Sequence, residues 1–220
     1  SPALDLDSLY GAGPVADPTL YASADRAKFK IESGGAFEDL PRLADQRALI
    51  ADPRNDEHVM LSGLHAAMLL FHNRMVDRVR AGGEDDDGRV FQAARRLVTW
   101  HYHWIVLTEL LPSLVGREMV DDVLRERRGR LFRPEADEAF MPVEFQGAAY
   151  RFGHTMVRPS YRANRTGNPG AEPGAPAFFG MIFDPAGEGQ ADPVDLRGGA
   201  RKPRRFIGWE TFFDFGLFEF

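Results

Sequence analysis

Four side chains able to do chemistry, Tyr150, Arg151, His154 and Arg158, line up with Gly147 on one helical face of the stretch from Phe140 to Pro159, FMPVEFQGAAYRFGHTMVRP. That face offers an imidazole, a phenol, two guanidiniums and a gap without a side chain. Gly147 and Gly153 each cost about 1 kcal/mol against alanine inside a helix, which is explained if something flat must approach the backbone closely. Tight helix packing around a buried, hydrogen-bonded histidine explains it as well. On the other side Phe145, Ala148, Ala149, Phe152 and Met156 fall at i, i+3, i+4, i+7 and i+11, the spacing of a stripe pressed into a core. Pro142 suits the first turn of this helix, Glu144 complements its N-terminal dipole, and Pro159 forbids much continuation.

Two further groups carry chemistry. Arg54 and Glu57 stand three residues apart at the mouth of a helix in ADPRNDEHVMLSGLHAAMLLFHNRMVDRVRAGG and can project into the same space. Taken alone they are a capping carboxylate with a surface ion pair, worth at most about 1 kcal/mol. Ser1, Ala3, Asp5 and Asp7 alternate in SPALDLDSLYGAGP. A hydroxyl, a backbone carbonyl and two carboxylates could thereby meet one hard cation, although an acidic turn before a Gly-Pro loop has the same pattern.

The remaining histidines do not form a metal site. His58, His65 and His72 repeat every seven residues on one face, but a helix separates such neighbours by about 10 Å, too far for one ion. They read as interface or polar-network histidines. His101 and His103 are two apart, on nearly opposite sides of a helix.

The elements that must position these groups are helical. Pro53, Asp56 and Glu57 make a helix start, and Leu61, Leu64, Met68, Phe71, Met75 and Val79 continue as an apolar stripe to the stop at Gly82-Gly83. RVFQAARRLVTWHYHWIVLTELLPSLVG follows, apolar nearly all round from Val98 to Leu111 as in a helix buried in a larger helical body, with Pro112 marking a weakening or kink. Arg117 to Phe132 reads as a short surface helix and turn. Residues Pro14 to Asp52 read as loops and short elements, and TGNPGAEPGAPAFFG as a Gly/Pro loop. The expected architecture is mainly α, with little regular sheet.

At 220 residues and 24.6 kDa the chain can bury one substantial core, read as a single domain over 1–220. The 27 basic and 33 acidic residues give a net charge of −6, which leaves no footprint for nucleic acid. RKPRR is one short basic run in an acidic chain. No run of eighteen apolar residues exists, so no membrane span is expected. The absence of cysteine rules out disulfides, thiolate ligation of haem and iron-sulfur clusters.

The string AAYRFGHTMVRPSYR resembles the proximal-histidine helix of the animal-type haem peroxidases, the peroxidase-cyclooxygenase superfamily, and especially its bacterial members. The resemblance continues through DPRNDE with a helix ending HNR, the alternating N-terminal segment ending in Tyr-Gly, and RFIGWETFFDFG. It implies haem b held between the Arg54 and His154 helices, with His154 as axial iron ligand and Arg151 paired with a haem propionate. It implies that Arg54 polarises hydrogen peroxide and that Glu57 lies beside a haem methyl, where mammalian members have an ester link. A sulfur link at the next position is excluded, since His58 stands there. Ser1 by side chain, Ala3 by carbonyl, and Asp5 and Asp7 by carboxylate would hold a structural calcium, with Asp7 where mammalian members have serine.

The resemblance also shows departures. The family's distal histidine, a further calcium ligand beside it, and the asparagine that supports the proximal imidazole have no matching segments. The chain therefore reads as a fragment that associates with the missing parts of the same protein. Three functions follow. The first is a haem peroxidase that oxidises a small electron donor with hydrogen peroxide. The second is a fatty-acid oxygenase of the cyclooxygenase type, in which a tyrosine stands where this chain has Arg151, one position from Tyr150. The third, if the chain is complete, is a non-catalytic helical binding domain.

Overall fold

Helices form wherever the apolar spacing asks for them, and in the computed structural model they run in chain order with little sheet between them. The structure describes residues 4–33, 38–45, 47–126, 140–158, 160–161, 164, 177–178 and 207–213. Two short helices, α1 (Asp7–Tyr10) and α2 (Gly13–Ala16), precede an antiparallel pair, β1 (Glu32–Ser33) and β2 (Glu38–Asp39). A 3-10 turn at Pro53–Asp56 leads into α3 (Val59–Ala81), followed by α4 (Asp87–Ile105), α5 (Leu111–Val115) and α6 (Arg117–Glu126). Helical turns at Phe145–Ala149 and Tyr150–Met156 come next, then β3 (Ser160–Tyr161) paired with β4 (Ala177–Phe178). The RKPRR run and most of the Gly/Pro loop lie outside the described residues.

The chain forms two compact units, Ser1–Asp7 with Met75–Met156, and Ser8–Arg74 with Val157–Phe220. Each is described by itself.

In the unit holding Ser8–Arg74, α3 buries a different face from the expected stripe. Ser62, His65, Ala66, Leu69 and His72 are buried, whereas Leu64 is 50% exposed. The reason is that the segment before α3 brings both apolar surface and hydrogen-bond partners to the histidine face. Tyr10, Leu20, Tyr21 and Phe29 are buried, with Tyr21 stacked on Phe29 at 4.6 Å between ring centres. The Tyr10 hydroxyl meets His72 Nδ1 at 3.1 Å, and His72 Nε2 donates to the Ala27 carbonyl at 2.9 Å. Because a carbonyl only accepts, the proton of the neutral ring sits on Nε2 and Nδ1 accepts from Tyr10. Asn73 completes the attachment, accepting from Phe29 N at 2.8 Å and donating to Phe29 O at 3.0 Å.

In the other unit, Asp86 caps α4 by accepting from Arg89 N at 2.9 Å, and Val90, Phe91, Ala94 and Val98 are buried. Beyond Val98 the expected all-round burial is absent. Trp100, Trp104, Ile105 and Leu110 are exposed, since no described residue covers those sides of the helix. The effect of Pro112 is visible one turn earlier, where the chain widens into a π-helical turn over Val106–Leu110. Proline has no amide proton for the Thr108 carbonyl and its ring crowds that group. Arg117 Nη2 donates to Thr108 O instead, at 3.2 Å.

Candidate functional site

The segment carrying His154 is helical but not a regular α-helix. After one α-helical turn it loosens at Phe145–Ala149, around Gly147, and tightens to a 3-10 helix at Tyr150–Met156, around Gly153. Two glycines remove the propensity that would hold uniform α geometry. In a 3-10 helix side chains at i and i+3 eclipse, so Arg151 and His154 stand one above the other. The expected contrast between a buried and an open face is not found. Phe145, Phe152 and Met156 are exposed, as Tyr150 and His154 are. Pro159 lies outside the described residues.

This open surface suits a planar group carrying anionic arms. A side chain added at Gly147 or Gly153 would meet nothing within 4 Å. Among the described residues the side chains of His154 and Arg151 have no hydrogen-bond or ion-pair partner. An uncommitted imidazole nitrogen is a normal iron ligand and an uncommitted guanidinium a normal carboxylate partner, so the donor set fits haem.

In the second unit, Asp52, and not the start of α3, organises the Arg54 turn. Its carboxylate accepts from Arg54 N at 3.0 Å and holds the Arg54 guanidinium through Nε at 3.0 Å and Nη2 at 2.6 Å. The side-chain hydrogen bond from Arg54 lowers the pKa of Asp52. Arg54 is 79% exposed. Glu57 is exposed too, with its backbone amide donating to Arg54 O at 3.4 Å, so the ion pair at this helix mouth is Arg54 with Asp52. α3 begins at Val59, and His58 caps it by accepting from Leu61 N at 3.3 Å. Burial lowers the His58 pKa against the opposing charge of Glu57.

The rest of the turn faces inward. The Asn55 amide group donates to His65 Nδ1 at 2.9 Å and to Ser8 O at 3.4 Å. His65 Nε2 is buried without a hydrogen-bond partner, and burial lowers this ring's pKa to about 4 against the pull of Asp56 and Asp52. Asp56 is held by Arg42, at 2.7 Å from Nη1 to Oδ2 and 3.0 Å from Nη2 to Oδ1. Neither Arg42 nor Asp39, which shares its guanidinium, was singled out by sequence reasoning. Asp39 ends the two-residue strand β2 and Arg42 follows it, in a stretch too short to show periodicity, and only the polar burial marks them.

Of the alternating N-terminal series, Asp5 and Asp7 are described, while Ser1 and Ala3 lie outside the described residues. Leu4 and Leu6 flank Asp5 with φ of 53° and 58°, strained values for branched residues. The Leu4 carbonyl accepts from His103 Nε2 at 2.9 Å. Asp5 Oδ1 is buried without a hydrogen bond. An oxygen left in that state is costly and suits a hard cation, although Asp5 and Asp7 do not by themselves make a three-ligand cluster among the described residues.

No helix among the described residues is long and apolar enough to cross a membrane.

The chain is 35% identical over 156 residues to a human (Homo sapiens) protein, "Probable oxidoreductase PXDNL", covering 68% of this chain and 10% of that protein. It is 30% identical over 161 residues to thyroid peroxidase of Sus scrofa, covering 71% of this chain and 17% of that one. Peroxidase A from Dictyostelium discoideum has a similar fold, with a TM-score of 0.62 at 22% identity over 82% of this chain and 35% of that chain. The chain thus spans between a tenth and about a third of the length of these proteins. These relatives support the mainly helical peroxidase fold and not a narrower likeness to bacterial members. With the animal haem peroxidase family matching residues 1–196, this chain belongs to that family.

Proposed function

We propose that the chain is the haem-binding part of a peroxidase that uses hydrogen peroxide to oxidise a small-molecule donor. The observation that carries this reading is the open face of Tyr150–Met156, where His154 and Arg151 stand eclipsed beside Gly153 in a chain of this family. Haem b, when bound, supplies an iron able to exchange electrons with peroxide and donor. His154 would hold that iron through a neutral ring nitrogen. Arg151 would neutralise a propionate, and Glu57 is the candidate for contact with the edge of the ring.

Arg54 is the cation for the peroxide step. A guanidinium stays protonated at every working pH, so it offers fixed positive charge where negative charge develops on the departing oxygen. The proton that must move in the same step needs a base, which the resemblance places outside this sequence. Asp5 and Asp7, with Ser1 and Ala3, are proposed to hold calcium, which would satisfy the buried Asp5 oxygen.

Titrating haem into the protein and into His154→Ala tests the reading. The unsubstituted protein should take up haem with a histidine-ligated ferric spectrum. His154→Ala should bind it loosely or not at all, and added imidazole should restore part of the spectrum. His58→Ala, His65→Ala and His101→Ala should leave the ligation unchanged. A native spectrum in His154→Ala would place the ligand elsewhere.

A further inference from the structure

The Pro53–Asp56 turn is held from beneath while its outward side chain is left in the open. Arg54 is 79% exposed, but Arg42, which grips the same turn through Asp56, has a side chain only 4% exposed. Its two acidic partners are nearly as deep, at 8% for Asp39 and 12% for Asp56. Arg42 reaches Asp56 through both Nη atoms, and reaches Asp39 through Nε at 3.2 Å. Two parallel bonds from a planar guanidinium fix direction as well as distance, so Asp56 has little freedom to rotate, and Arg54 lies two residues away in the same turn. Arg42 is itself tied down, since its backbone amide donates to Glu32 Oε2 at 3.1 Å. Asp39 is tied as well, accepting from Leu40 N at 2.7 Å.

We propose that Arg42 is a positioning residue for the peroxide reaction, setting where the Arg54 turn presents its guanidinium by clamping Asp56 from the buried side. The inference rests on the role given to Arg54 above, but the role of Arg42 is separate from it. Burial opposes the charge of Arg42, and the hydrogen bonds and charges of Asp56 and Asp39 outweigh that opposition and raise its pKa. Arg42 therefore stays charged throughout the working range. Lysine could supply the charge but not the fork.

The test compares Arg42→Gln, Arg42→Lys, Arg54→Ala and the double variant Arg42→Gln/Arg54→Ala in the haem-loaded protein. Arg42→Gln should slow the bimolecular reaction with hydrogen peroxide by at least about tenfold, as small misplacements of reacting groups do. Haem loading and the KM for the donor should not change, a split that simple destabilisation would not produce. Arg42→Lys should recover only part of the loss. In the Arg54→Ala background Arg42→Gln should cost nothing further, because there is no guanidinium left to position. Amide exchange at Asn55 and Glu57 should quicken in Arg42→Gln while that of Leu69 to Asn73 is unchanged. If Arg42→Gln does not fold, Asp56→Asn reads the same clamp from its other side. Unchanged exchange and an unchanged peroxide rate, or an equal loss with and without Arg54, would overturn the proposal while leaving Arg54 in its role. An unchanged rate in Arg54→Ala would instead overturn the reading of Arg54, and the purpose of the clamp with it.

Discussion

Tyr10 and His72 lie 62 residues apart in sequence, and their hydroxyl and Nδ1 meet at 3.1 Å in a buried contact. Together with the bond from His72 Nε2 to Ala27 O, this pins the N-terminal segment to α3 through a ring that must stay neutral.

Stability should therefore depend on pH. Burial lowers the pKa of His72 to about 4, against weaker opposing effects of the Ala27 carbonyl and Asp25. The unfolded ring titrates near about 6.5. Between these two values the unfolded chain binds more protons than the folded one, so the stability present above about 6.5 declines as pH falls toward about 4. His65, also lowered to about 4, acts in the same direction. The ceiling for each is about 3 kcal/mol. Urea unfolding across this range should show the decline, with a shallower slope in His72→Phe; equal slopes would mean His72 is not held neutral.

How far the sequence disclosed this arrangement differs from element to element. The helices, the Gly82-Gly83 stop and the disturbance at Pro112 follow from local rules: period, φ and a missing amide. The buried face of α3 did not follow, because the count favoured Leu61, Leu64 and Met68 over a face of histidines. Burying His72 becomes acceptable only through Tyr10 and Ala27, partners that local periodicity cannot reveal. Arg42 and Asp39 were hidden for the same reason. The family was legible in the strings around Arg54 and His154, and the roles proposed for His154, Arg151 and Arg54 rest on that likeness. The packing expected around His154 was not legible, since the apolar stripe of Phe145, Phe152 and Met156 is exposed among the described residues.

Calcium should bind at Asp5. The buried Oδ1 without a hydrogen bond, between two residues of positive φ, is the part of the loop that a cation would relieve. Thermal unfolding should shift upward with calcium and downward with chelator. Asp5→Asn should lose that response while unfolding normally in chelator. Metal analysis after dialysis should find calcium in the parent and less in the variant; no calcium in either, with no chelator effect, would remove the site.

Arg54→Ala should slow reaction with hydrogen peroxide by about a hundredfold, the usual loss when a donor aimed at developing charge is removed, while haem uptake is kept. The guanidinium of Arg54 rests on Asp52 at 2.6 Å; 79% of its own side chain is exposed but only 16% of that of Asp52, so its removal takes the partner from a mostly covered carboxylate. Asp52 keeps the backbone amide of residue 54 as a donor, so the cost to folding should be about 1–2 kcal/mol. Arg54→Lys separates charge from shape: a point charge on a flexible stem keeps attraction for peroxide but loses the fixed fork that Asp52 orients. Rapid mixing with peroxide should place the lysine variant between the parent and the alanine variant. Equal rates in all three would leave Arg54 as no more than the partner of Asp52 at the helix mouth.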